Sequence, residues 1–444
     1  MTRYLAELAW TGSGPVREAV LLEVEGDRFT GVEPGAARPA DAIWLPGLTI
    51  PGLANAHSHA FHRALRGRTQ SGTGDFWAWR NRMYEVAASL DPDTYLELAT
   101  ATYAEMALAG ITAVGEFHYL HHAPGGRPYG DRNEMGRTLV EAARRAGIRI
   151  TLLDTCYLRG GIDGRPSEGA QLRFSDGSVE AWAARVSDLA GDARVRLGAA
   201  IHSVRALDER SMGAVAAWAR AHEAPLHFHL SEQPAENAAC LAATGLTPAG
   251  LLARARALGP RSAAVHAIHL TPEDVGLLGL AGVGACLCPT TERDLADGVG
   301  PARPLADAGC RLCLGSDSHA VIDLFEEARA LELDQRLVTN HRGLHTPEEL
   351  LGAATAGGMT ALGWPASGLA PGQLADFVTV DLDSPRLAGA ERDSLLAQAV
   401  YAAAPADVSE VFIGGRRVVT GKRHLELDDV PRRLAAAIRR ALGG

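Results

Sequence analysis

The sequence predicts an α/β protein, a (β/α)8 TIM-like barrel with a small β-sandwich domain built from both chain ends. Three observations predict it. Eight short apolar stretches recur between about 48 and 316, and helical patterns separate most of them. Histidines and carboxylates gather at the C-terminal ends of those stretches, where barrel enzymes keep their working groups. Strand-like segments with turn signals flank the series on both sides. Neither flank has enough strands to bury a core alone, so the two are expected to combine.

Residues 1 to about 50 alternate in the manner of strands. Val20 to Val32 reads as two strands around a Gly26-Asp27 turn. The barrel strands are expected at 48–55, 111–117, 149–156, 195–201, 225–230, 262–267, 283–288 and 311–316. A helix over 95–108 has the start signal Asp91-Pro92-Asp93 and the stop Gly110. A second, over 133–146, is closed by Gly147, and others are expected at 207–222, 247–258 and 323–337. The connection from 289 to 310 reads mostly as loop. An open doubly wound sheet is the alternative, but no Gly-rich phosphate loop follows the first strand. Strand character returns over 366–422, with a hairpin turning at Gly414-Gly415, and a basic helix follows at about 430–442. The expected domains are 1–50 with 366–425, the barrel at 51–365, and a terminal helix at 426–444.

The chain has 444 residues, 47% hydrophobic and 22% charged, the profile of a globular protein. A net charge of −10 argues against binding nucleic acid or an acidic membrane surface. The opening residues lack the apolar core of a signal peptide, so a cytoplasmic location is expected. Of six cysteines, Cys310 and Cys313 form a C-x-x-C, which in other settings is a redox pair or half a zinc site. Cys313 lies in an apolar strand pattern, and burial as a small hydrophobe is the expectation. Lys422 is the only lysine, which argues against a lysine bridging two metals or forming a Schiff base in the core.

Pro51 to His62 is the stretch that points to chemistry. It is apolar up to Ala56 and then presents His57 and His59. Positions i and i+2 of a strand share a face, so the two imidazoles converge. With His229 at the end of the fifth strand and Asp317 at the end of the eighth, they offer three nitrogens and one oxygen. That set suits one divalent ion, Zn2+ first and Fe2+ second. Such an ion would bring a bound water's pKa toward neutrality. Asp317 could take that water's proton. Glu232, three residues past His229, could carry a proton to a leaving nitrogen, and His266 could hydrogen-bond the attacking water. His227 is expected to point away from His229 and is read as structural.

The chain resembles the amidohydrolase superfamily over essentially its whole length. The resemblance rests on the H-x-H, His229, His266, Asp317 and the Leu-x-x-Gly-x-x-Ala-Asp stretch at 369–376. The missing lysine matches the mononuclear deaminase branch. Within it, five motifs are similar to the deiminases that act on N-formimino-L-glutamate in histidine degradation. They are His57-Ser58-His59-Ala60-Phe61, Phe76-Trp77-Ala78-Trp79-Arg80, Glu116-Phe117-His118-Tyr119, His202-Ser203-Val204-Arg205 and His229-Leu230-Ser231-Glu232-Gln233. The resemblance implies hydrolysis of that small dicarboxylate to N-formyl-L-glutamate and ammonia. It further implies that Arg80, Tyr119, His202 and Arg205 hold the glutamate part, and a homodimer is expected. His62 stands where the family often has Gln and is a further candidate contact. Independently, two arginines in loops at the barrel mouth suit two carboxylates. Trp77 and Trp79 read as loop packing. The alternatives are a deaminase of purine-like rings, which needs no dicarboxylate clamp, and a non-catalytic metal-binding scaffold.

Overall fold

The computed structural model describes residues 1–70 and 76–443. Four strands open the chain: β1 (Thr2–Ala9), β2 (Arg17–Glu25), β3 (Arg28–Glu33) and β4 (Ile43–Pro51). Eight more follow: β5 (Leu53–Ser58), β6 (Ile111–His118), β7 (Arg149–Cys156), β8 (Val195–Ile201), β9 (Leu226–Leu230), β10 (Ser262–His266), β11 (Gly284–Leu287) and β12 (Arg311–Leu314). The last four are β13 (Phe377–Val380), β14 (Val408–Ile413), β15 (Arg416–Thr420) and β16 (Arg423–His424).

Strands β5 to β12 pair in parallel and in chain order, as the expected barrel requires. Helices cover the outer face and side chains fill the inner one, which is why β5, β6 and β7 are buried at every position. The ring closes by little backbone. Ser58 and Asp317 form an isolated parallel bridge, with Asp317 N–H donating to His57 O at 3.0 Å and His59 N–H to Asp317 O at 3.3 Å. The seam between first and last strand is therefore made by the candidate metal ligands.

The second sheet draws on both chain ends, in the order β16-β15-β14-β13-β4-β1-β2-β3. Its core packs Tyr4, Phe377 and Phe412, the last two stacked at 4.4 Å between ring centroids. The 369–376 stretch supplies the tie between the two bodies. Asp376 takes two hydrogen bonds from Arg149 at the start of β7, at 2.6 and 3.1 Å, and a third from Gly414 N–H. Both members are buried, so each would be a costly orphan without the other.

Several expectations need correction. The first barrel strand is not 48–55. Residues through Pro51 belong to β4 in the second sheet, and the barrel strand starts at Leu53. Residues 76–89 form a helix, so Trp77, Trp79 and Arg80 are helical and not in a loop. The 289–310 connection contains two short helices, Pro289–Asp294 and Ala302–Asp307. The helix Glu134–Ala146 does end at Gly147, which takes the left-handed conformation at φ +74.

Candidate active site

The four donors converge at the seam. His229 Nε2 lies 3.2 Å from His57 Nε2, and the Nε2 atoms of His57 and His59 each lie 3.4 Å from Asp317 Oδ1. Donors about 2.1 Å from one tetrahedral ion stand about 3.4 Å apart, and these three spacings match that value; His57, His59 and His229 form one such cluster, and Asp317 groups with His59 and His62. The chemistry of the set fits as well. Burial lowers the pKa of all three imidazoles, that of His59 to about 3, so each is neutral and can give its lone pair. His59 Nδ1 donates to Phe117 O at 3.0 Å and His229 Nδ1 to His202 O at 2.8 Å, which leaves Nε2 as the ligating nitrogen. Burial opposes charge on Asp317, but His57, His266 and His59 outweigh it and hold the carboxylate well below its usual range.

The backbone is bent to bring these groups in. His266 has φ +70 and Asp317 φ +40, both in the left-handed region that residues with a Cβ avoid. Strain of this kind costs about 1–3 kcal/mol per residue and persists where surrounding structure holds it. It turns each chain sharply at the strand end and throws the side chain over the barrel mouth.

Glu232 and His266 face each other across that mouth. His266 Nε2 is 3.8 Å from Glu232 Oε1 and 3.8 Å from Asp317 Oδ2. Burial raises the Glu232 pKa, with His266 and Arg205 pulling against it. Burial also disfavours the His266 cation, but Glu232, Glu292 and Asp317 outweigh it and raise its pKa to about 10.

A cavity of about 460 Å³ opens above these residues. His62, Arg80, Tyr119, His202 and Arg205 all line it, as do Glu232, His266 and Asp317. His62 Nε2 is 3.0 Å from the Tyr119 hydroxyl. Arg80 stacks over Trp77 at 4.4 Å and faces Tyr84 at 5.4 Å, with no carboxylate partner among the described residues. Arg205 is half-buried, 3.4 Å from Glu236 and 3.9 Å from Glu232. His227 does not point away from His229, since two residues apart on β9 they share a face; it reaches Ala361 O at 2.9 Å instead of joining the donors. All six cysteines are free and buried, including Cys310 and Cys313.

Sequence reasoning missed Tyr84, Tyr157, Glu236 and Glu292 and gave Glu116 no role. Tyr84 and Tyr157 line the cavity and are joined through Gln171, at 3.2 and 2.9 Å. Glu116 accepts from Ala60 N–H at 2.7 Å and from Ser58 at 2.8 Å, pinning the turn between His57 and His62. Glu236 braces Arg205, and Glu292 lies 3.4 Å from His266 Nδ1. The Pro289-Thr290-Thr291-Glu292 run, with proline opening a helix, was the one available signal for the last.

Comparison with known proteins agrees with this architecture. Residues 48–418 match the amidohydrolase family. The formimidoylglutamate deiminase of Pseudomonas aeruginosa is 37% identical over 437 residues, 96% of either chain. The 8-oxoguanine deaminase of the same species is 34% identical over 382 residues, 84% of this chain and 83% of that one. A crystal structure of an amidohydrolase from Brucella melitensis superposes with a TM-score of 0.93 at 33% identity, covering 100% of both chains.

Proposed function

The chain belongs to the amidohydrolase family, and from that premise we propose that it hydrolyses N-formimino-L-glutamate to N-formyl-L-glutamate and ammonia, a step of histidine degradation. The observation that carries the reading is the pair of guanidiniums, Arg80 and Arg205, at the wall of the cavity that the acid–base groups also line. The relative of that name, alike over 96% of the chain, supports it.

His57, His59, His229 and Asp317 would hold one divalent ion. When bound, such an ion acidifies water in its open coordination position and supplies the nucleophile near neutral pH. The chain's own residues do the rest. Arg80 and Arg205 take the two carboxylates of the glutamate part, and Glu236 keeps Arg205 aimed at the cavity. Tyr119, His202 and His62 complete the polar lining. Asp317 receives the proton from the attacking water, and His266 donates a hydrogen bond to the oxygen that adds to the formimino carbon. Glu232 delivers a proton to the imino nitrogen as the oxygen adds and regains one from the added hydroxyl as the carbonyl forms, while Asp317 passes the water's proton to the same nitrogen, which departs as ammonia. The C–N bond to ammonia breaks as the carbonyl of the formyl group forms.

The test is ammonia release from N-formimino-L-glutamate against 8-oxoguanine and adenosine derivatives, with zinc- and iron-loaded protein. A kcat/KM for the dicarboxylate at least a hundredfold above every ring substrate is expected. A purine turned over as well or better would replace this reading with a ring deaminase. No ammonia from any substrate at full metal loading would leave a metal-binding scaffold.

A further inference from the structure

We infer that Glu292 is a positioning residue: it holds the His266 ring, through Nδ1, in the one orientation that turns Nε2 toward the reacting centre. The inference rests on the role given to His266 above.

Glu292 lies in the helix Pro289–Asp294, on the connection after β11, and is buried. Its Oε1 accepts the Cys288 backbone N–H at 2.8 Å and lies 3.4 Å from His266 Nδ1. A carboxylate cannot donate, so the proton of that contact sits on Nδ1. Nε2 is then left to face Glu232 Oε1 and Asp317 Oδ2, each at 3.8 Å. The backbone does little to hold the ring. His266 is the last residue of β10 and sits at φ +70, where the strand has already turned away. An imidazole ring with no partner on its far nitrogen can rotate about its Cβ–Cγ bond, which takes Nε2 away from the reacting centre.

The same connection is anchored beyond Glu292. Asp297 accepts a hydrogen bond from the Gln233 amide, next to Glu232, and its backbone O lies 2.8 Å from His269 Nε2. The connection thus grips the segments that follow β9 and β10, the two strands that carry the proton-handling pair. The Cys288 contact alone is a helix-capping bond that Gln could make equally well. The imidazole contact is what the cap does not account for.

The experiment compares Glu292→Ala and Glu292→Gln with the parent enzyme, each at full metal occupancy. Protein labelled with 15N-histidine reports the His266 nitrogens by NMR, and His266→Gln identifies their signals. Glu292→Ala is expected to lose the signature of a hydrogen-bonded Nδ1 and to lower kcat roughly 10- to 100-fold with KM changed less than threefold. Glu292→Gln, whose amide oxygen still accepts from Nδ1–H, is expected to restore the signature and most of kcat. Unchanged His266 signals in Glu292→Ala would overturn the inference whatever happens to activity. A fall in melting temperature and kcat with the signature intact would reduce Glu292 to a cap. If Glu292→Ala does not fold, Glu292→Asp, which withdraws the carboxylate by one methylene, must show the same loss of signature. The nitrogen signals need no substrate. A failure of the substrate assignment would therefore appear only in the ammonia assay and would leave this result standing.

Discussion

Glu232 is pulled two ways. Burial favours its neutral acid, while His266 and Arg205 favour its carboxylate. A carboxyl whose pKa is raised by burial beside a histidine is placed for acid–base work. Glu232→Gln keeps the shape and removes the exchangeable acid. It is expected to retain metal and substrate affinity while turnover drops about 10²–10⁴-fold; a variant with near-parental turnover would remove Glu232 from the mechanism. The arginines carry specificity in the same local way. The chain is acidic overall, at −10, so attraction of a dianion must come from within the cavity. Arg80→Met and Arg205→Met are each expected to cost at least about 2 kcal/mol, roughly 30-fold in kcat/KM for the dicarboxylate. Against an analogue lacking one carboxylate, the arginine that pairs with the missing group should show almost no penalty. Equal losses on both substrates would mean that the arginines only support the fold. At this scale the metal-ligand candidates were legible because strand period and strand ends are local properties. Glu292 and Glu236 were not, since nothing near them in sequence marks a glutamate for burial beside an imidazole or a guanidinium.

The element that matters most is the junction of β5 and β12. Gly315 lies there, and a Cβ at that position would stand 2.7 Å from His57 Cβ, 2.9 Å from His57 O and 3.0 Å from Cys288 Sγ. Two of those neighbours are fixed by the backbone of β5, so the contact cannot be relieved by swinging a side chain. Gly315→Ala is expected to push His57 off its position and weaken metal binding by tenfold or more, read by competition with a chelator. Unchanged affinity would show that the seam can widen without disturbing its donors. Most strands of the barrel were readable from their apolar runs, but the first was misplaced. One apolar run serves β4 and β5, and only Pro51-Gly52 marks the step from one sheet to the other. The helix Phe76–Ser89 escaped because it buries only Phe76, Met83, Val86 and Ala87 and shows Arg80 and two tryptophans to the cavity side, which blurs the 3.6-residue period. Helices of six residues, such as Pro289–Asp294, are too short to show a period at all.

For the whole molecule, the donor geometry predicts one ion per chain, and its removal by chelation should lower the melting temperature, because the ion binds only the closed barrel. Two ions per chain, both needed for turnover, would contradict the single site. Acid should destabilise the metal-free protein through histidines that are not ligands. Burial takes His121 and His227 down to about 4, against about 6.5 when unfolded. Between those values the unfolded chain binds more protons than the folded one, so stability must fall as pH drops from 6.5 toward 4. The urea midpoint should decline through that window and stay level just above it; a midpoint flat down to pH 4.5 would refute the assignment. The seam itself imposes an order in time. Ser58 and Asp317 close the barrel, and β4 cannot meet β13 until residues 377–380 exist. At about 5–20 residues per second of synthesis, residue 57 waits tens of seconds for its partner at 317. A nascent chain paused between 230 and 316 holds three of the four donors on an open sheet with two bare edges. On the proposed ligand set, the complete site therefore forms only after residue 317 has been made.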